Sequence, residues 1–139
     1  MTATPDEIQV FLADQFPGAS TVECVEVGRR HAVARWVYDP SGLRPGDLIS
    51  GPTQFMLADT ALYFAVFGAI GIEPMAVTAD LAIRFLRPAK GGDLFARADL
   101  LHLGAARVYG EVDLWVDGDA DRRVSHATGT YSLPPAKRT

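Results

Sequence analysis

The segment from Gly51 to Ile72, GPTQFMLADTALYFAVFGAIGI, constrains the fold more than any other part of the sequence. From Phe55 to its last residue, Asp59 is the only charged side chain. The segment barely reaches the length of about 20 apolar residues that crosses a membrane, and a charge at the bilayer centre costs about 2.5–3.5 kcal/mol. Because strand-like sequence follows it, the segment is predicted to be the buried core helix of a globular protein.

One helix and two strands are predicted before this segment. Thr4 as an N-cap, followed by proline and two acidic residues, predicts a short amphipathic helix at about residues 5–16. Alternation of apolar and polar residues predicts strands at 21–28 and 31–39, joined by a hairpin turn. The stretch 39–52 is rich in Pro, Gly and Ser, so a long loop is expected between these strands and the apolar helix.

Four further strand-like stretches follow the apolar helix, at residues 75–88, 93–104, 106–118 and 122–134. Their short connections predict that successive strands pair as antiparallel neighbours. One apolar helix beside five or six antiparallel strands predicts an α+β domain in which a curved sheet wraps around the helix. With 139 residues, the chain is expected to form one domain over residues 1–139, with its core at 20–134.

Composition excludes several classes of partner and cofactor. The net charge of −4, without a cluster of Lys or Arg, argues against nucleic acid as a partner. Cys24 is the only cysteine, which excludes an intramolecular disulfide and a cysteine-based metal site. The three histidines lie on separate predicted strands without ligand spacing, so no metal or cofactor is expected. The first residues lack a secretory pattern, and a cytoplasmic location is expected.

Asp59 is the candidate reactive group. An unpaired buried carboxylate is costly, so Asp59 must find hydrogen-bond partners, reach solvent or face a site. Gly51 lies where the helix begins, and its backbone N–H at the positive end of the helix dipole can bind developing negative charge. Pro52 fits the first helical turn, with Thr53 as an alternative N-cap. A carboxylate and an oxyanion donor are the two groups that acyl hydrolysis needs.

The spacing of these two groups predicts a dimer. Asp59 is eight residues beyond Gly51, which is about 12 Å along a helix. The two groups of one chain are therefore too far apart to act on the same carbonyl carbon. If they cooperate, each site takes Gly51 from one subunit and Asp59 from the other.

A family resemblance rests on these residues. Ser50-Gly51-Pro52 is followed after six residues by Asp59-Thr60-Ala61, and the downstream stretches VTADLAIRFLRPAKGGDLFARADLL and ATGTYSLP match two later strands. From about residue 20 to 134 the chain resembles the hotdog-fold acyl-CoA thioesterases of the phenylacetate-pathway type. Many members have His-Gly-Gly before Asp-Thr-Ala at the same spacing, so that Ser50 replaces the histidine and Pro52 the second glycine.

The resemblance implies an α+β hotdog fold, in which a curved antiparallel sheet of six strands wraps around a long central helix. It also implies a homodimer with sites at the subunit interface, pairing into a dimer of dimers, and hydrolysis of acyl-CoA thioesters to free acid and CoA. In the family the aspartate acts as base or nucleophile and the glycine N–H polarises the thioester carbonyl; by position these are Asp59 and Gly51. A hydroxyl residue in the next strand, here Thr78, helps to place the attacking water.

Four other residues are weaker candidates. Ser50 is a candidate polar helper at the family's histidine position. Tyr63, one turn after the carboxylate, is a candidate for the wall of an acyl pocket. Arg87 and Lys90 are candidates for contact with CoA phosphates, although exposed cations near a turn are more often only solvated.

Three alternative functions stay open at this point. The first is a non-catalytic protein of the same fold that binds acyl-CoA or fatty acids. The second is a hotdog dehydratase or hydratase, against which the absence of histidine from the apolar helix argues. The third is a scaffold protein in which Asp59 is a satisfied helix residue.

Overall fold

The protein is described here by a computed structural model covering residues 3–135, so residues 1, 2 and 136–139 of the expected domain lie outside the described part. In chain order the elements are α1 (Pro5–Gln15), β1 (Val22–Val27), β2 (His31–Trp36), β3 (Leu43–Arg44), β4 (Leu48–Ile49), α2 (Gly51–Ile70), β5 (Val77–Phe85), β6 (Leu94–Leu103), β7 (Arg107–Val116) and β8 (Ser125–Ser132). Six strands form one antiparallel sheet in the order β1-β2-β6-β7-β8-β5, and β3 pairs only with β4. The predicted α+β class, with six strands around a long helix, is confirmed.

Helix α1 begins with the predicted cap. The Thr4 hydroxyl accepts a hydrogen bond from the Glu7 N–H at 3.2 Å, and the Glu7 carboxylate accepts one from the Thr4 N–H at 2.9 Å. This reciprocal pair satisfies two of the donors that a helix start leaves free. The buried face of α1 carries Ile8 and Leu12, which belong to the same core as α2.

Helix α2 begins at Gly51 because Ser50 is its N-cap. The Ser50 hydroxyl accepts a hydrogen bond from the Thr53 N–H at 3.2 Å, so the alternative of Thr53 as N-cap is wrong. Pro52 occupies the first turn, where its missing N–H removes no intrahelical bond. The helix ends at Ile70, and its C-cap Gly71 has a φ of 90°, which favours glycine.

The prediction of a buried core helix is confirmed. By length and composition α2 could cross a membrane, yet 67% of its most apolar window is buried inside the protein. Phe64 and Phe67 are fully buried against the sheet. Gly68 lets the helix approach the β1–β2 turn, because a Cβ there would lie 2.0 Å from the Gly28 carbonyl oxygen. Burial against the concave face of the sheet explains why α2 is apolar on nearly every side.

The segment before α2 is more ordered than the loop expected at 39–52. It contains a short 3-10 helix at Pro40–Gly42 and the two-residue strands β3 and β4. The Gly42 carbonyl accepts hydrogen bonds from the Ser50 N–H at 3.0 Å and the Thr53 hydroxyl at 2.9 Å. These bonds hold the start of α2 in a fixed position.

The expectation that successive strands are neighbours is wrong for β5 and β6. Strand β5 pairs with β8 at the sheet edge, whereas β6 pairs with β2 and β7 in the middle. The connection between them carries the chain across the sheet and is anchored at Ala89, whose carbonyl accepts the Ile49 N–H at 2.8 Å. A short connection allows a hairpin but does not require one. Here tertiary contacts determine which strands pair.

Candidate active site

The Asp59 carboxylate is held through one of its two oxygens. Its Oδ1 accepts a hydrogen bond from the Thr78 hydroxyl at 2.7 Å and another from the Tyr131 hydroxyl at 2.7 Å. The Tyr131 hydroxyl also lies 3.0 Å from the Asp59 carbonyl oxygen. Within residues 3–135, no group donates a hydrogen bond to Oδ2. Asp59 is therefore fixed in orientation while one oxygen stays available.

The sheet register brings the two hydroxyl donors together. Thr78 in β5 and Tyr131 in β8 are directly paired across the two strands. Paired residues of antiparallel strands have Cβ atoms about 4.5–5.5 Å apart, so both side chains can reach the same carboxylate on α2. The hydroxyl positions follow from strand pairing and do not depend on a flexible loop.

Tyr131 stays a hydrogen-bond donor over the whole neutral range. Its side chain is 4% exposed. Burial, reinforced by the neighbouring negative charge of Asp59, raises the pKa of Tyr131 well above its ordinary value. A protonated phenol can donate to a carboxylate but does not readily give up its proton. The Tyr131 hydroxyl is therefore suited to hold the carboxylate in one orientation.

Asp59 opens onto a mostly apolar cavity of about 400 Å³. Its wall combines residues of α2 and β5 with residues of α1 and the turn after it, among them Leu12, Phe16, Met56, Tyr63 and Val77. The Tyr63 ring stacks on Tyr131 with centroids 5.8 Å apart, and its hydroxyl donates to the Pro74 carbonyl at 3.0 Å. Burial, followed by the charge of Glu73, raises the pKa of Tyr63 to about 12. Tyr63 and Asp59 thus line the same cavity.

Gly51 lines a different cavity, of about 470 Å³, together with Arg44, Phe85 and Arg87. A Cβ added at Gly51 would lie 3.3 Å from the Phe85 ring, so this position is narrow. The Gly51 N–H has no acceptor among residues 3–135, as is usual at the first position of a helix. Within one chain the structure does not bring Gly51 and Asp59 together.

The other predicted residues fall into two groups. Arg87 lies between the Gly51 cavity and a smaller one of about 240 Å³, which Lys90 and Arg122 also line. Ser50, by contrast, uses its hydroxyl to cap α2 and lies 2.8 Å from the Thr53 hydroxyl. In residues 3–135, no group of three His, Cys, Asp or Glu side chains is arranged to hold a metal ion.

Tyr131 is the site residue that the sequence analysis missed. Residues on β8 alternate between buried and half-buried, and Tyr131 lies on the buried face with Ala127 and Gly129. A tyrosine on the buried face of a strand needs a partner for its hydroxyl. The pattern therefore predicts that the Tyr131 hydroxyl has a hydrogen-bond partner, although it does not identify that partner.

Comparison with known proteins supports this description. The family model of the thioesterase superfamily matches residues 46–122. A solved structure of a proposed thioesterase from Silicibacter sp. is 32% identical, covers 95% of this chain and 92% of that one, and has a TM-score of 0.86. No match is found among curated proteins.

Two more distant structures share the fold. The PaaI protein from the phenylacetic acid degradation operon of E. coli is 21% identical, covers 91% of this chain and 90% of that one, and has a TM-score of 0.77. A hypothetical thioesterase from Streptococcus pneumoniae with coenzyme A is 22% identical, covers 91% of this chain and 96% of that one, and also has a TM-score of 0.77. The predicted hotdog fold is confirmed.

Proposed function

The chain belongs to the thioesterase superfamily, and on that basis we propose that it hydrolyses acyl-CoA thioesters to a free acid and CoA. The observation that carries the proposal is the Asp59 carboxylate, which has one oxygen held by two hydroxyls and the other available beside an apolar cavity. The CoA bound to the similar protein of Streptococcus pneumoniae supports a CoA-linked substrate.

In the proposed reaction, Oδ2 of Asp59 is the reactive atom. It either accepts a proton from a water molecule that adds to the thioester carbonyl carbon, or adds to that carbon itself. In either case the C–S bond breaks, and the CoA thiolate leaves and takes up a proton. In the first route that proton is the one Asp59 accepted from water. In the second route the acyl group remains on Asp59 as a mixed anhydride, which water then hydrolyses to release the free acid and regenerate the carboxylate. Thr78 and Tyr131 keep Oδ1 bound throughout, so that Oδ2 faces the carbonyl carbon in one orientation.

The oxyanion donor is proposed to come from the partner subunit. Gly51 and Asp59 of one chain line separate cavities, and about 12 Å of helix lies between them. The N–H of Gly51 of the partner subunit, at the positive end of its helix, would bind the carbonyl oxygen as it becomes negative. The site is therefore complete only in a homodimer, which we propose pairs further into a dimer of dimers.

Strand β5 supplies a geometry for this homodimer. It is an edge strand that pairs only with β8 and leaves its other side without a strand partner in residues 3–135. Val77 at one end is 52% exposed and Phe85 at the other is 54% exposed. Thr78 contacts Asp59 near the first end, and Phe85 lies beside Gly51 at the second. Antiparallel pairing of two β5 strands would bring Asp59 of one chain towards Gly51 of the partner subunit.

The two kinds of cavity suit the two parts of an acyl-CoA. The apolar cavity at Asp59 is proposed to take the acyl group, with Tyr63 as part of its wall. The Gly51 side carries the cations Arg87 and Lys90, which are proposed to meet the phosphates of CoA. Ser50 contributes by capping the helix that presents the Gly51 N–H.

A subunit-mixing experiment tests both the activity and the shared site. Wild type is first assayed on an acyl-CoA panel with a thiol-trapping reagent. Two inactive variants are then mixed by co-expression: Asp59→Asn, and Gly51→Pro, which removes the N–H but suits the first helical position. Ser50 already has the extended backbone that a following proline requires, with φ −68° and ψ 156°. Gly51→Ala serves as the control, because it keeps the N–H and adds a Cβ, as proline does.

The mixed dimer has one site with both groups intact. We expect each variant alone to be nearly inactive and random mixing to restore about one quarter of wild-type activity, because half of the dimers carry one complete site out of two. No recovery on mixing would contradict the shared site. Wild type without hydrolysis on the whole panel, but with measurable acyl-CoA binding, would contradict the enzyme and support the binding protein.

A further inference from the structure

Three cavities meet at the turn that follows α1. The cavity at Asp59 of about 400 Å³ adjoins one of about 450 Å³ and one of about 220 Å³. Phe16 and Ala19 line all three. Met56 is shared by the first two, and Leu12 by the first and third. The space beyond the Asp59 cavity is thus separated from it by very few side chains.

The Phe16 ring stands at this junction. It meets the Tyr63 ring edge to face, with centroids 6.2 Å apart and planes at 88°, and the Phe11 ring with centroids 5.9 Å apart. Tyr63 in turn stacks on Tyr131, whose hydroxyl holds Asp59. A continuous row of rings therefore runs from the reactive carboxylate to Phe16, along the path of an apolar chain in the cavity.

The position of Phe16 is not explained by core packing. Its side chain is 45% exposed, whereas Ile8 and Leu12 provide the buried face of α1. A half-exposed aromatic ring contributes less hydrophobic stabilisation than a buried one. An apolar ring kept at the meeting point of three cavities has a simpler explanation as a wall that a ligand touches.

We propose that Phe16 is the partition that limits the length of the acyl group. This inference rests on the proposed function and adds to it a specificity-determining residue supplied by the turn after α1. With the thioester carbon at Asp59, the acyl group extends past Tyr63 and meets Phe16. Acyl groups that end before the ring fit the Asp59 cavity, and longer ones are excluded from the two cavities behind it.

Phe16→Ala joins the three cavities and tests the partition. The measurement is kcat/KM across saturated acyl-CoA substrates from butyryl to palmitoyl. We expect the preferred chain length to increase and the longest substrates to gain about tenfold or more relative to wild type, since one methylene in an apolar pocket is worth about 10-fold or more in kcat/KM. The shortest substrates lose activity because they no longer fill the cavity.

Two further variants separate this effect from general damage. Ala19→Leu places extra volume at the same junction, so the preferred chain length is expected to decrease. Val10→Ala serves as the control, because Val10 is 70% exposed on α1 and lines none of the three cavities. It is expected to leave the preference unchanged. A Phe16→Ala profile equal to that of wild type, in a folded dimer, would overturn the partition while leaving the proposed function in place.

A binding measurement keeps the two proposals distinguishable. Calorimetric titration of the same acyl-CoA series is done on Asp59→Asn, with and without Phe16→Ala, so that no turnover is needed. The partition predicts that affinity for long chains increases when Phe16 is removed. Absence of wild-type hydrolysis would contradict the proposed enzyme, whereas an unchanged affinity profile would contradict only the partition.

Discussion

Two carboxylates on the protein have opposite surroundings. Asp93, just before β6, has both oxygens occupied. Its Oδ2 accepts hydrogen bonds from the Arg35 guanidinium, one at 2.8 Å from Nε and one from a terminal nitrogen, and its Oδ1 accepts the Tyr38 N–H at 2.7 Å. Within residues 3–135, Asp59 has two hydroxyl donors on one oxygen, no cation as a partner, and one oxygen without a donor.

The difference separates a stabilising carboxylate from the one that we propose to be reactive. The Tyr38 N–H, acting against the effect of burial and together with Arg35, holds the pKa of Asp93 below its ordinary value. Both carboxylate oxygens of Asp93 accept hydrogen bonds from within the protein, and these bonds stabilise the folded state. One oxygen of Asp59 accepts no hydrogen bond from residues 3–135 and lies beside a cavity. An unpaired carboxylate oxygen destabilises the folded state unless a substrate or a water molecule hydrogen-bonds to it.

Asp59→Asn gives the sharpest test of this contrast. The change removes the charge of the carboxylate but keeps the size of the side chain. We expect kcat to fall by about a hundredfold or more, the usual effect of losing a base, with little loss of stability. Steady-state assays and urea unfolding on the same preparation measure both quantities. Activity unaffected by the change would remove Asp59 from the mechanism.

Asp93→Asn is expected to show the opposite pattern. It replaces a carboxylate that accepts charge-assisted hydrogen bonds and is only 15% exposed, so the free energy of unfolding at neutral pH falls by about 1.5–3 kcal/mol. Activity per folded dimer stays close to that of wild type. The control is Asp99→Asn, which removes a half-exposed pair with Arg97 and costs less.

The pH dependence of the Asp93 effect has a definite sign. Because its folded-state pKa is lowered, the stabilisation is fully present above the ordinary pKa of an aspartate in the unfolded chain. It is lost as the pH falls through the lower, folded-state value. Urea unfolding in a pH series is therefore expected to show wild type and Asp93→Asn converging in acid. A difference that stays constant down to low pH would contradict the proposed origin of the stabilisation.

Tyr131→Phe asks whether the single-oxygen arrangement matters for activity. The variant keeps the buried ring and removes the donor to Oδ1. We expect kcat/KM to fall by about tenfold, equivalent to about 1.4 kcal/mol. Steady-state assays and urea unfolding on the same preparation separate a loss of activity from a loss of folded protein.

The control for this variant is Tyr109→Phe. Tyr109 lies on the neighbouring strand β7, is 38% exposed, and lines none of the described cavities of the site. It is expected to leave kcat/KM unchanged. If Tyr131→Phe lowers activity only as far as it lowers the fraction of folded protein, Tyr131 supports the fold and does not position Asp59.

Helix α2 and the pairing of the strands differ in how far the sequence predicts them. Helix α2, its start near Gly51 and its burial follow from local patterns: one long apolar run, a glycine and a proline. The separation of Gly51 from Asp59 follows from the rise of a helix, and the structure places them in separate cavities. These features involve residues close in sequence, for which helical geometry fixes the distance.

The remaining features depend on strand pairing. Thr78 was expected at the site only from the family resemblance, and Tyr131 was missed because its contact with Asp59 depends on pairing of β5 with β8. The neighbour expected for β5 was β6, on the basis of a short connection. No periodicity in a single sequence specifies which strands pair, because many pairings bury the same apolar face. The hydrogen bond between Arg35 and Asp93 joins residues 58 positions apart and could not be predicted from the sequence either.

Thr78→Val is expected to have the smallest effect of the four. Valine keeps the shape and removes the hydroxyl, while Tyr131 still binds Oδ1, so a loss of about three- to fivefold in kcat is expected, within the range of one hydrogen bond. Thr78→Ser, which restores a donor, serves as the control and should return most of the activity.

In the double variant with Tyr131→Phe, Oδ1 has no donor left and Asp59 is free to rotate. The combined loss should therefore exceed the product of the two single losses, as is expected for residues that share a partner. Losses that multiply without excess would show that the two hydroxyls act independently, and the contrast with Asp93 would then rest on charge pairing alone.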